Sequence, residues 1–296
     1  MTGRAREVTR AAGSMESPLQ TLRRLGLHPR KALGQHFLVS RELADRIVQA
    51  ALDEQPEGVL EIGPGLGILT ERLASSGVPV VAIERDEGMR ERLQEIQALH
   101  PALEVRYQDV LRAELQAVTA QGAWVAIGNL PYQITSPLLE KLLTTEPPFK
   151  AIVITVQKEV GERLASAPGT KQYGALSLLA RFYAGPPAVI CELGPGAFYP
   201  PPKVRSLAVK LVPKPCPPLP EEERRRFFAV VRAAFGHRRK KLRNALCLSG
   251  ELGVSREQAL RALRAARVEP DRRGETLSLE EFLALAGAVA QAREQG

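Results

Sequence analysis

The chain has 296 residues, 44% of them hydrophobic and 25% charged, and a formal net charge of +8. It is long enough for two domains with buried cores. It holds neither an apolar run of membrane-spanning length nor the apolar centre of a signal peptide in MTGRAREVTRAAG (1–13). The excess charge sits at the two ends, with seven Arg/Lys against two acids over 1–31 and sixteen against eleven over 221–296.

Taken in chain order, residues 1–24 read as a basic, flexible extension, with Met15 as a second candidate start. RELADRIVQAALD (41–53) repeats apolar residues at helical spacing behind Ser40, a plausible N-cap. Short β-type runs then fall at 58–63, 79–84, 103–108, 124–129, 151–156, 188–193 and 206–212. Amphipathic stretches such as 87–99 and 136–143 lie between the earlier ones; in the latter Ser136 caps and Pro137 takes the first helical position. This alternation predicts a mostly parallel sheet with helices on both faces. VPKPCPPLP (212–220) is too rich in proline to continue a helix or a ladder, so 214–220 reads as a linker. Everything after it, 221–296, is helical in pattern. The expected organisation is therefore an α/β domain over 25–213 and a smaller all-helical domain over 221–296.

The terminal basic segments suit a polyanion laid across the surface. An Arg-rich, Asn-poor composition from a thermophilic source would look similar, so charge alone leaves both readings open. Cys191, Cys216 and Cys247 are odd in number and lack metal-ligand spacing. They point to a reducing, cytoplasmic setting without a structural metal.

VLEIGPGLGILTERLA (59–74) runs from a strand through a glycine turn into a helix. Gly63, Gly65 and Gly67 let the backbone turn tightly and approach a ligand at a helix N-terminus. Glu84 ends the next strand, about twenty residues on, where a carboxylate accepts ribose hydroxyls. Many such loops are only tight turns, so the ligand has to be decided by spacing. Dinucleotide binders want a glycine where this chain has Ile68, whereas Glu61-Ile62-Gly63 suits methyltransferases that bind S-adenosylmethionine. Asp109, after the third strand, either accepts from the cofactor's adenine amine or caps a helix.

GNLPY (128–132) carries Asn129, one of two asparagines in the chain. An amide at a strand's end before X-Pro-aromatic resembles the (Asp/Asn)-Pro-Pro-aromatic signature of amino-methylating enzymes. Adenine N6 is a poor nucleophile because its lone pair is delocalised into the ring. The Asn129 oxygen and the Leu130 carbonyl could accept the two N6 hydrogens and favour a pyramidal nitrogen. Pro131 lacks an N–H and fixes the turn, and Tyr132 offers a ring for the base. The plain alternative is a strand-end turn with a buried tyrosine.

Seven stretches in register carry a resemblance across nearly the whole chain from about residue 25: RKALGQHFL (30–38), EIGPGLGILT (61–70), AIERD (82–86), GNLPYQITSPLL (128–139), VQKEVGERL (156–164), GAFYPPPKVRS (196–206) and FGHRRKKLRNAL (235–246). They resemble the small-subunit ribosomal RNA adenine dimethyltransferases of the KsgA type, relatives of the erythromycin-resistance RNA methylases. The resemblance implies a Rossmann-like class I methyltransferase sheet with a C-terminal helical domain. It also implies dimethylation of N6 on two adjacent adenosines in the 3′-terminal hairpin of small-subunit rRNA, late in 30S subunit biogenesis. His36 and Leu38 fall where the family closes over the cofactor; Gly63, Glu84, Asp109 and Asn129 fall on its S-adenosylmethionine contacts. Phe198 falls on the second aromatic wall around the flipped adenine, although a core aromatic is the plain reading. His36 departs from the family's usual asparagine.

The basic run His237, Arg238, Arg239, Lys240, Lys241 and Arg243 reads as a phosphate-binding patch, with a solvated helix face as its plain alternative. Arg30, Lys31 and Lys203 are candidates for further RNA contacts. The expected partner is small-subunit rRNA or the 30S precursor, bound by a monomer without metal or membrane. A resistance-type methylase acting on large-subunit rRNA and an assembly factor with secondary methyl transfer are the alternatives. A nicotinamide-dependent oxidoreductase is disfavoured by Ile68.

Overall fold

The computed structural model describes residues 18–30, 33–215 and 219–294. In chain order it contains α1 (Pro18–Arg24), β1 (Phe37–Leu38), α2 (Arg41–Leu52), β2 (Gly58–Ile62), α3 (Ile68–Ser75), β3 (Val80–Glu84), α4 (Arg90–Leu99), β4 (Leu103–Tyr107), α5 (Gln116–Thr119) and β5 (Trp124–Asn129). There follow α6 (Thr135–Thr144), β6 (Ala151–Gln157), α7 (Lys158–Ala165), α8 (Ala175–Tyr183), β7 (Ala188–Leu193), β8 (Phe198–Tyr199) and β9 (Ser206–Leu211). Four helices close the chain: α9 (Glu221–Gly236), α10 (Leu242–Leu248), α11 (Arg256–Ala265) and α12 (Leu279–Glu294).

Seven strands form one sheet in the order β4-β3-β2-β5-β6-β9-β7. The first five are parallel; β9 runs antiparallel to both β6 and β7. β2 and β3 are buried along their whole length, which is why they read as continuous apolar runs rather than alternating ones. Alternate residues serve opposite cores: Val59 and Ile127 face the layer of α2 and α3, Leu60 and Ala126 the layer of α6 and α8. The chain leaves β2 towards β3 and β4, then returns to β5 on the other side of β2. The switch point therefore lies between β2 and β5, and a crevice opens at their carboxyl ends.

The helical segment shares a core with the sheet. Phe227 of α9 stacks on Phe182 of α8 at 4.9 Å, and Phe228 meets the same ring edge-on at 5.2 Å. Full burial of a phenylalanine contributes roughly 1.5–3 kcal/mol, so this seam fastens α9 firmly. Within the stretch read as a flexible extension, residues 18–24 form α1, with Leu22 buried and Arg24 paired to Glu95 at 2.6 Å.

Ser40 caps α2, accepting from the Leu43 N–H. The start of α6 differs from expectation. Thr135 Oγ1 donates to the Pro131 carbonyl at 3.2 Å and the Leu138 N–H to the Ile134 carbonyl at 3.0 Å. These bonds begin the helix at Thr135, so Pro137 takes its third position rather than its first. The two-residue strands β1 and β8 pair antiparallel, Phe37 with Tyr199 and Leu38 with Phe198, and fasten the chain before α2 to the segment before β9. Among the described residues no helix is long and apolar enough to cross a membrane, and no cluster of side chains could hold a metal.

Candidate active site

The crevice is a cavity walled by the glycine turn, the ends of β3 and β5, the segment after β4, and the loop before β1. Gly63 and Gly65 line it; Gly67 does not. Gly67 has φ +82° and a Cβ there would stand 2.2 Å from Ile96 Cδ1, so it is held to glycine by the turn and by α4. A Cβ on Gly65, at φ +54°, would press on the Phe37 ring at 3.0 Å.

Glu84 lies at the carboxyl end of β3, 6% exposed. Its Oε2 accepts the Gly65 N–H at 3.0 Å and its Oε1 the Asp86 N–H at 2.7 Å. Burial raises its pKa, and those backbone donors pull it back. Glu61 is buried beside it, and burial pushes its carboxyl up to about 8. The Thr70 hydroxyl is near enough to favour the charged form, and the Glu84 charge opposes it. Neither Glu61 Oε2 nor Thr70 Oγ1 completes a hydrogen bond in this geometry. Asp109 also lines the cavity, and no helix starts from it. Its Oδ1 accepts the Leu111 N–H at 2.9 Å and its Oδ2 lies 3.7 Å from Arg85.

Asn129 ends β5 with its Nδ2 donating to the His36 backbone carbonyl at 2.8 Å. That bond assigns the amide orientation and leaves Oδ1 as an acceptor without a partner among the described residues. The Leu130 N–H donates to the Thr155 carbonyl at 3.1 Å, anchoring the turn, while its own carbonyl takes no hydrogen bond among the described residues. Pro131 and Tyr132 complete this wall. The Tyr132 hydroxyl shares a 2.9 Å hydrogen bond with Ser206 Oγ. The His36 ring stacks on Tyr132 at 5.6 Å, and its Nδ1–H donates to the Pro200 carbonyl at 2.7 Å.

The structure thus brings His36, Leu38, Gly63, Gly65, Glu84, Asp109, Asn129, Leu130, Pro131 and Tyr132 around one cavity. Phe198 is outside its lining: at 3% exposure it packs in the core beneath β1.

The sequence profile of the ribosomal RNA adenine dimethylases matches residues 26–285. The chain belongs to that family. Ribosomal RNA small subunit methyltransferase A of Pelotomaculum thermopropionicum is 41% identical over 93% of this chain and 96% of its own length. The protein of the same name from Moorella thermoacetica is 40% identical over 92% and 97%. Among solved structures, a dimethyladenosine transferase from Plasmodium falciparum superposes with a TM-score of 0.73 at 26% identity, covering 87% of this chain and 98% of its own. The 23S rRNA methyltransferase ErmE superposes with a TM-score of 0.63, also at 26% identity, over 86% and 100%.

The cavity's chemistry fits the cofactor of this dimethylase family. S-adenosylmethionine is a cation with a ribose and an adenine amine. The lining offers a buried acidic side chain at Glu84, a buried carboxyl group with an unpartnered oxygen at Glu61, and Asp109 across the cleft. No cationic side chain is buried among the lining residues. In the sequence Glu61 stands out only as a neighbour of the glycine turn. Gln35 and Asp86 carry no local signal of their own, although they lie within GQHFL and AIERD.

The cationic candidates divide. Arg238 pairs with Glu275 at 3.0 Å and donates to the Tyr173 carbonyl at 3.3 Å and to that of Lys171. Lys241 and Arg243 both hold Asp271, at 2.7 and 2.6 Å. Arg30 pairs with Asp86 at 3.0 Å. Arg239, Lys240 and Lys203 are exposed and make no ion pair among the described residues, as is also true of exposed His237. Lys31 lies outside the described residues.

Proposed function

We propose that this dimethylase transfers methyl groups from S-adenosylmethionine to N6 of adenines in small-subunit ribosomal RNA, twice on each base. The substrate is two adjacent adenosines in the 3′-terminal hairpin, met on the 30S precursor in the cytoplasm, and the enzyme acts as a monomer. One observation carries this reading: Asn129 donates from Nδ2 to the His36 carbonyl, so its Oδ1 is presented to the cavity beside the unused Leu130 carbonyl.

S-adenosylmethionine supplies an electrophilic methyl group on a positively charged sulfur. Glu84 and Asp109 are placed to hold its ribose and adenine; Gly63 and Gly65 let the backbone approach it. Asn129 Oδ1 and Leu130 O accept the two N6 hydrogens, localising the nitrogen lone pair for attack on the methyl carbon. Held there, the cofactor would supply its methyl carbon to the N6 lone pair, the carbon–sulfur electrons staying with sulfur, and the methylated amine would release its proton to water, so no general base is required. After the first transfer one N6 hydrogen remains, and one acceptor suffices to orient it for the second. Tyr132 supplies the ring on which a flipped base stacks. Phe198 would need the β1–β8 ribbon to shift before it could form the opposite wall.

The test is labelled S-adenosylmethionine offered with unmethylated small-subunit particles, naked small-subunit RNA and large-subunit RNA. Dimethyladenosine is expected in small-subunit RNA. Label in large-subunit RNA alone would overturn the choice of substrate, and tight subunit binding without transfer would favour the assembly-factor reading.

A further inference from the structure

Three charged side chains meet beside Tyr132 without belonging to the cavity lining. Lys158 follows β6, Arg205 precedes β9, and Glu192 lies one residue before the end of β7. The register puts all three at one end of the sheet, since Ser206 pairs with both Gln157 and Leu193. Asn129 pairs with Thr155 of β6, so this is also the end at which the crevice opens. The Lys158 N–H donates to the Arg205 carbonyl at 2.9 Å, and Ser206 Oγ, the next residue on, shares its hydrogen bond with the Tyr132 hydroxyl. The three charges therefore stand just outside the rim that carries Tyr132.

Their pairing is poorly matched. Lys158 Nζ and Arg205 Nε both donate to Glu192 Oε1, the former at 3.1 Å. Glu192 Oε2 and the two Arg205 Nη atoms make no hydrogen bond among the described residues. Two cations on one carboxylate oxygen leave a surplus positive charge and a guanidinium whose outer edge is free. Lys203, exposed and without an ion pair among the described residues, adds another positive charge two positions before Arg205. The side chains of Lys158, Arg205 and Glu192 are 41%, 58% and 34% exposed. Ion pairs this exposed contribute little to stability, so exchanging the carboxylate for another anion costs little. A phosphodiester offers two oxygens to a guanidinium fork, which binds it bidentately. A base lying on Tyr132 has left its stack, and its sugar–phosphate links remain outside the cavity, where these cations are.

We propose that Lys158 and Arg205 clamp an RNA phosphate flanking the adenosine that enters the cavity, and that Glu192 occupies their donors until RNA arrives. This rests on the reading of Tyr132 as the platform for a flipped base.

The test titrates a fluorescent small-subunit hairpin carrying the two adjacent adenosines with the full chain, at several salt concentrations. Lys158→Gln and Arg205→Gln should each weaken binding and lower the slope of log affinity against log salt by about 0.7–0.9. Glu192→Gln should act in the opposite direction and tighten RNA about two- to fivefold, because the competing charge is gone. A purely structural ion pair predicts unchanged or weaker binding for Glu192→Gln, and either result would overturn the exchange. To locate the phosphate, the hairpin is remade with one uncharged methylphosphonate linkage on either side of the adenosines. At one of these positions the parent should lose affinity and Arg205→Gln should lose none, because both changes remove the same contact. Losses that add at every position, or salt slopes unchanged in both cation variants, would overturn the clamp. Slopes that fall as expected on a hairpin that receives no methyl group would instead overturn the proposed substrate and leave the phosphate contact standing.

Discussion

The His36 imidazole lies over the Tyr132 ring, centroids 5.6 Å apart and planes 26° from parallel, while its backbone carbonyl holds the Asn129 amide. One residue thus serves the base platform with its side chain and the N6 acceptor with its main chain. The two roles separate by mutation. His36→Asn keeps the carbonyl but removes the ring pair, worth about 0.5–1.5 kcal/mol, along with the ring's hydrogen bond to the Pro200 carbonyl, so kcat/KM for RNA should fall roughly 2–10-fold. Asn129→Ala removes the acceptor itself and should lower kcat at least ~100-fold, comparable to losing one preorganised hydrogen-bonding group at a reacting centre. Calorimetry should show cofactor still bound by both variants. Near-native turnover by Asn129→Ala would remove Oδ1 from the chemistry.

Tyr132 offers a second separation. Its hydroxyl is spent on Ser206 Oγ, so Tyr132→Phe loses one hydrogen bond of about 1 kcal/mol and keeps the ring. Tyr132→Ala loses the stacking surface, about 1–3 kcal/mol per base. Steady-state kinetics should show a mild defect for the first and a severe one for the second. Equal defects would mean that the hydroxyl, and not the ring, matters.

The sheet was legible because β2, β3 and β5 are covered on both faces, which forces apolar runs long enough to recognise. The glycine turn was legible because positive φ leaves few other residues there. Two-residue strands such as β1 and β8 have no periodicity to read; only their antiparallel pairing defines them. The start of α6 was misplaced because Thr135 and Ser136 are both plausible first-turn residues, and the choice was made by a bond to Pro131. Long-range polar partners are invisible to local pattern. Nothing in RKALGQH or AIERD says that Gln35 and Asp86 meet, and nothing in GHRRKKLR says which cations are already taken.

That last division can be measured. Arg239 and Lys240 are unpaired among the described residues, so replacing either with alanine should lower the slope of log affinity for RNA against log salt by about 0.7–0.9. Arg238 is committed to Glu275 and to two backbone carbonyls. Arg238→Ala should instead cost about 1 kcal/mol of stability, a modest figure because the pair is partly exposed, and leave the salt slope nearly unchanged. Thermal melts and RNA titrations at several salt concentrations check both. A slope lowered as much by Arg238→Ala as by Arg239→Ala would return Arg238 to the phosphate-binding set.

Glu61 makes stability depend on pH in a direction opposite to that of a paired carboxylate. Burial raises its pKa from 4.5 to about 8, so between those values the folded state keeps a proton that the unfolded state has released. The unfolded state then binds fewer protons, and stability falls as pH rises through that window. It is fully present below 4.5 and flattens above 8. Glu61→Gln removes the titration while keeping the shape. The cofactor-free variant should match the parent near pH 4.5 and exceed it at pH 8.5 by on the order of 2 kcal/mol. Paired thermal melts at the two values, with cofactor absent, read this difference. A parent as stable relative to the variant at pH 8.5 as at pH 4.5 would show that Glu61 is ionised throughout, and that Oε2 finds a partner on folding.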